Sequence, residues 1–124
     1  MPVRDDAISI WNAGIAAVDS AKCVAQRIHV QQQQLWIAET RVPLSSTSRI
    51  EVSGAGKAGA GMASGVEAAL MSSDIGERVS GWVNVPADCV RPLTRIRLHA
   101  ARPAGLNEPT PQAVDGTQEI LRRV

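Results

Sequence analysis

The residues with the clearest chemical potential are Gly54, Gly56, Lys57 and Gly59, in the run Val52-Ser53-Gly54-Ala55-Gly56-Lys57-Ala58-Gly59. The three glycines satisfy G-x-G-x-x-G, a spacing that allows a tight turn, lets a ligand approach the backbone and brings a helix close to a sheet. Free amides at the start of the helix suit an anion such as phosphate or carboxylate. A lysine at that mouth can neutralise charge developing on a transferring phosphoryl group. Residue types exclude a P-loop and leave an imperfect dinucleotide site. A P-loop needs glycine five residues before Gly56 and Ser or Thr after the lysine, and these positions hold Glu51 and Ala58. A dinucleotide site needs an acidic ribose ligand at the end of the next strand, which here ends Asn84-Val85-Pro86 with Asp88 just beyond. The same residues also fit a simpler role, in which the glycines serve close helix packing and Lys57 is solvated.

A second group of polar residues lies in His99–Thr110, where Arg102 can grip a carboxylate or phosphate through both guanidinium nitrogens and Asn107 can hydrogen-bond a hydroxyl. The segment also fits a proline-stiffened loop with Asn107 in a turn and Glu108 serving the dipole of the next helix. His29 and His99 have no nucleophilic Ser or Cys in a tight turn beside them and are assigned no chemistry. Trp11, Trp36 and Trp82 lie in apolar segments and are expected in the core or an interface. Cys23 and Cys89 have no further Cys at metal spacing, so two reduced, partly buried thiols and no metal site are expected, with a disulfide left open.

The elements that must position these residues follow from periodicity. Ile8, Trp11, Ile15 and Val18 recur at helical spacing across Arg4–Val18, with Asp5 and Asp6 in the first turn. Asp19 or Ser20 caps a shorter helix carrying Cys23, Val24, Arg27 and Ile28. The glutamines 31–34 bridge to one extended stretch, Leu35–Val42, closed by Pro43. Arg49–Ser53 alternates polar and apolar as a strand does, and Lys57–Ser72 is a helix with Met62, Val66, Ala69 and Leu70 on its buried side. Gly59, Gly61 and Gly65 each cost that helix about 1 kcal/mol relative to Ala, so close packing must offset them. Val79–Val85 and Arg95–His99 are strands, and Pro111 opens a last helix capped by Thr110. A strand-helix-strand order implies right-handed crossovers and parallel neighbours. The fold expected is α/β, three-layered and Rossmann-like, with a mostly parallel sheet and N-terminal helices. Arg49, Glu51, Arg95 and Arg97 alternate with Ile50, Val52, Ile96 and Leu98. One sheet face is therefore incompletely covered, or these charges pair across strands.

The 124 residues leave room for a single domain, 1–124, and three Trp with no Phe or Tyr require a core of aliphatic and small residues. A net charge of +1 supplies no field for nucleic acid or an anionic membrane. No apolar run is long enough to span a bilayer and the N-terminus lacks the layout of a signal peptide, so a cytoplasmic protein is expected.

The run Ile50–Ala63, IEVSGAGKAGAGMA, resembles the glycine-lysine signature of the glycerate 2-kinases, the family that also carries a MOFRL domain, where it reads approximately V-V-G-x-G-K-A-x-x-x-M-A after a strand. The helix Ala7–Val18 looks like that family's opening helix. Arg102–Thr110 occupies the place of its H-P-x-P-x-E-x-S segment, with Arg102 in place of the histidine, and Glu119-Ile120-Leu121 matches the helix after that segment. The resemblance implies ATP and Mg²⁺ as cofactors, phosphoryl transfer to the 2-hydroxyl of glycerate, and Lys57 as the active-site lysine. It places nucleotide phosphate at Gly54, Gly56, Lys57 and Gly59, and glycerate at Arg102 and Asn107. The family's cleft lies between this domain and a second one, so this chain alone is expected to be inactive. The competing expectation is a non-enzymatic interaction module, dimeric, with a residual anion-binding loop.

Overall fold

The computed structural model describes residues 2–124. Four α-helices, α1 (Pro2–Ala17), α2 (Ser20–Ala25), α3 (Gly59–Leu70) and α4 (Pro111–Arg123), accompany six strands. The strands are β1 (Ile28–Gln31), β2 (Gln34–Ile37), β3 (Thr40–Pro43), β4 (Ile50–Ala55), β5 (Val79–Pro86) and β6 (Ile96–Arg102). They form an antiparallel meander, β1-β2-β3, and a separate parallel sheet of order β4-β5-β6. The class is α/β as expected, but the meander is a departure. Ile28 opens a strand instead of closing a helix, and the stretch expected to be one extended segment folds back on itself twice. The reversals use Gln32 and Gln33, with φ of 52° and 62°, and Ala38, with φ of 52°. Two-residue hairpin turns normally draw Asn, Asp or Gly for such angles, so neither turn carries its usual marker.

The alternation of charge along β4 and β6 has a direct explanation. One face of the parallel sheet carries Ile50, Val52, Val79, Val83, Val85, Ile96 and Leu98, which close the core under α3 with Ala60, Ala63 and Leu70. The opposite face carries Glu51, Ser80, Trp82, Asn84, Arg97 and His99, and α4 lies over it on β5 and β6. The layers are therefore helix, sheet, helix, and among the described residues Glu51 is the one of the four alternating charges in an ion pair, made with α4 and not across strands. Glu51 accepts a hydrogen bond from Ser80 Oγ at 2.5 Å and meets Arg123 at 3.5 Å. Arg97 and Arg123 lie over the Trp82 ring at 5.3 and 5.4 Å from its centroid. His99 packs beside that ring and pairs its Nε2 with Gln112 O at 2.8 Å.

The glycines of α3 are offset as expected. A Cβ at Gly61 would lie 1.9 Å from Ser20 Oγ, and one at Gly65 would lie 2.4 Å from Ala21 O, so α2 rests on the bare backbone of α3. The buried side of α3 keeps Leu70 as expected, with Val66 and Ala69 packed against the core, but excludes Met62. It runs through Ala60, Ala63, Glu67 and Leu70, while Met62 is 48% exposed. The helix α1 also departs from expectation. Its apolar residues are there, but Ile8, Trp11 and Ile15 are all exposed, and none of its described residues is buried. Trp11 is thus outside the core. Trp36 is half-buried, stacked on His29 and under Arg41, and Trp82 is half-buried beneath α4.

Candidate functional site

The strand β4 delivers its chain to the carboxyl edge of the sheet, where the backbone must turn sharply to enter α3. Gly56 makes the turn at φ +126°, a conformation L side chains rarely adopt. Its N–H donates to Asn84 O at 2.9 Å, which ties the turn to β5, and its carbonyl accepts from Gly59 N–H at 3.1 Å. The residue before α3 is Ala58, whose side chain caps nothing. The first bond of the regular helical ladder is Met62 N–H to Ala58 O, so the amides of Ala60 and Gly61 point out of the helix start without helical partners. Lys57 projects beside them, exposed and, among the described residues, in no ion pair.

These groups open into a cleft of about 430 Å³ lined by Lys57, Ala60 and Gly61, by Asp19 and Ser20 at the start of α2, and by Asp88, Cys89 and Arg91 beyond β5. Three chain segments far apart in sequence thus converge on one lysine and one uncapped helix start. The donors suit an oxyanion, because amide dipoles and an ammonium point into the same space. Two carboxylates border it. Asp19 already accepts the Lys22 amide at 2.9 Å as the cap of α2, which leaves Asp88 as the freer oxygen donor. The glycine motif marks the loop but not the other walls; in the sequence Asp88 stands just past a strand, and Arg91 belongs to no motif. A roomier hollow of about 480 Å³ under Val90–Leu98 is walled by one continuous segment and brings no second element's chemistry.

Arg102 and Asn107 are brought together, but not into this cleft. Arg102 Nη1 donates to Leu106 O and to Asn107 Oδ1, the latter at 3.0 Å, so each is engaged within its own loop after β6. Thr110 caps α4 as expected, accepting from Ala113 N–H at 3.1 Å while its hydroxyl donates to Ala101 O. The cysteines are both free thiols; Cys23 is exposed and Cys89 half-buried. Among the described residues no three His, Cys, Asp or Glu side chains are grouped as a metal cage would require.

A parallel α/β sheet whose first crossover carries a positive-φ glycine, a lysine and an uncapped helix start defines an α/β domain with a glycine-lysine loop at its carboxyl edge. The chain belongs to the family described as a domain of unknown function (DUF4147), whose model matches residues 6–124. Among solved structures it is similar to the PH0495 protein of Pyrococcus horikoshii OT3, with a TM-score of 0.71 and 20% identity over 98% of this chain. It spans 26% of the length of that protein. No curated protein matches.

Proposed function

We propose that this domain supplies the lysine-bearing half of a phosphoryl-transfer site of glycerate 2-kinase type, with Lys57 set against a phosphate of ATP. The observation that carries the reading is the convergence of Lys57 with the free amides of α3 on one side of a 430 Å³ cleft. In this reading Gly56 makes the turn that presents Lys57, Gly54 and Gly59 face the sheet and the apolar hollow beside β4 and do not line the cleft, and the Lys57 ammonium offsets the negative charge that spreads over the transferring group. ATP supplies the phosphoryl group when bound. Mg²⁺ is usually held by one or two carboxylates together with substrate oxygens and water. Asp88 is the residue of this chain that fits the ion, with Asp19 committed to its cap. Arg102 and Asn107 remain proposed glycerate contacts only if their loop releases its internal bonds.

The test is titration of the isolated chain with ATP-Mg²⁺, then with D-glycerate, followed by amide chemical shifts. Shifts confined to Gly54–Gly61 and Asp88–Arg91, and abolished in Lys57→Ala while the variant's stability stays within about 0.5 kcal/mol of the parent, support the reading. No shift in the loop at millimolar nucleotide overturns it. A second reading, an interaction module without chemistry, draws on α1, where Trp11 is 68% exposed and Ile10 74%. Sedimentation showing a stable homodimer that Trp11→Ser dissociates would favour it.

A further inference from the structure

The strand β4 is an edge. It pairs only with β5, and Gly56 N–H bonds to Asn84 O. Because alternate residues of a parallel strand turn both backbone groups to opposite sides, Ile50, Val52 and Gly54 face β5. Glu51, Ser53 and Ala55 then turn their N–H and C=O groups to the free edge. Beside that edge, on the α3 side of the sheet, run two apolar hollows of about 310 and 200 Å³. Val52, Ser53 and Val66 line both, so they form one groove along the strand. Ile37 and Val24 border it, and Met62, 48% exposed, stands over its upper part. An unpaired ladder beside an apolar groove is the seat of a strand.

The direction of that strand follows from chain geometry. The crossover from β4 to β5 carries α3 on one face, and α4 lies on the other. A right-handed connection leaving β6 through α4 must therefore move the opposite way across the sheet, past β5 and β4, to the free edge. The end of α4 is already there. Arg49, one residue before β4, donates from Nη2 to Arg123 O at 2.8 Å, and Arg123 reaches Glu51. A chain leaving α4 at this point enters alongside the start of β4 and runs parallel to it.

We propose that the groove beside β4 holds one extended segment, parallel to β4 and apolar at alternate positions, delivered from the end of α4. The P. horikoshii protein, of which this chain spans 26%, has the length to supply such a segment. A second copy of this chain is the less suitable occupant, since a two-fold axis would set its β4 antiparallel. The added strand makes β4 the point where strand order reverses, and ligands of open α/β sheets bind at the carboxyl edge of that point. The Gly54–Lys57 turn would lie there. The inference itself rests on the edge and the crossover, not on the phosphoryl-transfer reading.

The test extends the full chain at Val124 by a short Gly-Ser linker and a probe strand, Thr-Val-Thr-Val-Thr-Val, which raises its effective concentration to the millimolar range. The expected result is slowing of amide exchange at Glu51, Ser53 and Ala55 by about tenfold or more. Val52 and Gly54, already bonded to β5, stay unchanged, and cross-strand NOEs show parallel pairing. A control with Lys in place of each Val, which cannot fill the hollows, should give no protection. Unchanged exchange at the three residues, antiparallel pairing, or equal protection by the Lys probe overturns the proposal. So does concentration-dependent protection of β4 in the unextended chain, which would assign the edge to a second copy.

Discussion

Glu67 is a carboxylate inside the core stripe of α3, 7% exposed, and its replacement by Gln should unfold the protein more easily in a pH-dependent way. Its Oε1 accepts the amides of Arg95 at 2.6 Å and Ile96 at 2.8 Å, and its Oε2 accepts that of Thr94 at 2.9 Å. The side chain thus pins the chain as it enters β6. Glu67→Gln preserves shape and leaves no cavity. At best its one carbonyl oxygen keeps two of the bonds, now without charge, while its NH₂ group confronts the third amide. Hydrogen bonds to charged groups contribute about 1.5–3 kcal/mol against about 0.5–1.5 for neutral ones, and part of the loss returns as relief of buried charge, so a net cost of about 2–3 kcal/mol at pH 7 is expected. The carboxyl's protonation sets the pH dependence. Burial pushes it upward, but the amides of Arg95, Thr94 and Ile96, with the Thr94 side chain, outweigh that and hold it below its ordinary 4.5. Between the lowered folded value and 4.5 the unfolded chain binds more protons, so stability rises with pH in that window and levels off above it. Urea melts of both proteins from pH 7 to pH 3 should show a gap that is full at neutral pH and narrows as the solution falls below about 4.5. Equal stability at pH 7, or a gap that stays constant into acid, refutes the role given to the three amides.

Gly116→Ala places a Cβ 2.1 Å from Asn84 Oδ1 and 2.6 Å from His99 Cδ2, so α4 must lift from the sheet at a cost of about 1–3 kcal/mol, read as a lower urea midpoint with disturbed Trp82 fluorescence. Gly56→Ala meets no atom within 4 Å, and its cost comes only from φ +126°; about 1–3 kcal/mol is expected, and a neutral result in thermal melts would show that the turn relaxes. The double change Gln32→Asn with Gln33→Gly puts the residues favoured at positive φ where φ is 52° and 62°, and should stabilise by about 1 kcal/mol, a rise of roughly 4 °C in the melting temperature by calorimetry.

How far the structure was legible differs by element, and the differences have physical causes. The parallel sheet and the caps at Asp19 and Thr110 follow local rules, and each stands where alternation and cap chemistry put it. The meander was hidden because its turns are made by Gln32, Gln33 and Ala38, whose types carry no turn signal; only the surrounding strand pairing holds them at positive φ. On α3 a count of bulk misleads at one position, Met62, because small residues make the closest contacts. Ala60, Ala63 and Gly65 bury the backbone against α2 and the sheet, while the larger Met62 is left outside. A signal for Glu67 existed. It stands four residues after Ala63 and three before Leu70, and a carboxylate on that stripe must find donors within the fold.

The exposure of α1 and the polarity of the cleft bear on the same point from opposite sides. Covering Trp11, Ile10 and Val18, exposed by 68%, 74% and 74%, would remove apolar surface from water at about 25 cal/mol per Å², a gain this fold leaves unrealised. The glycine turn leaves the Ala60 and Gly61 amides and Lys57 without protein partners among the described residues. The helix leaves apolar surface in water, and the two amides and the ammonium turn donors outward, where water meets them. They differ in what would complement each. Apolar surface would complement the helix; the strand proposed above, the β4 groove; and the oxyanion proposed above, the Lys57 cleft. Apolar cover and an added strand are polypeptide, whereas an oxyanion is a ligand of the proposed site. Lys57→Ala should therefore change ligand shifts while leaving exchange along β4 untouched, and a probe strand at β4 should protect its edge whether or not nucleotide is present.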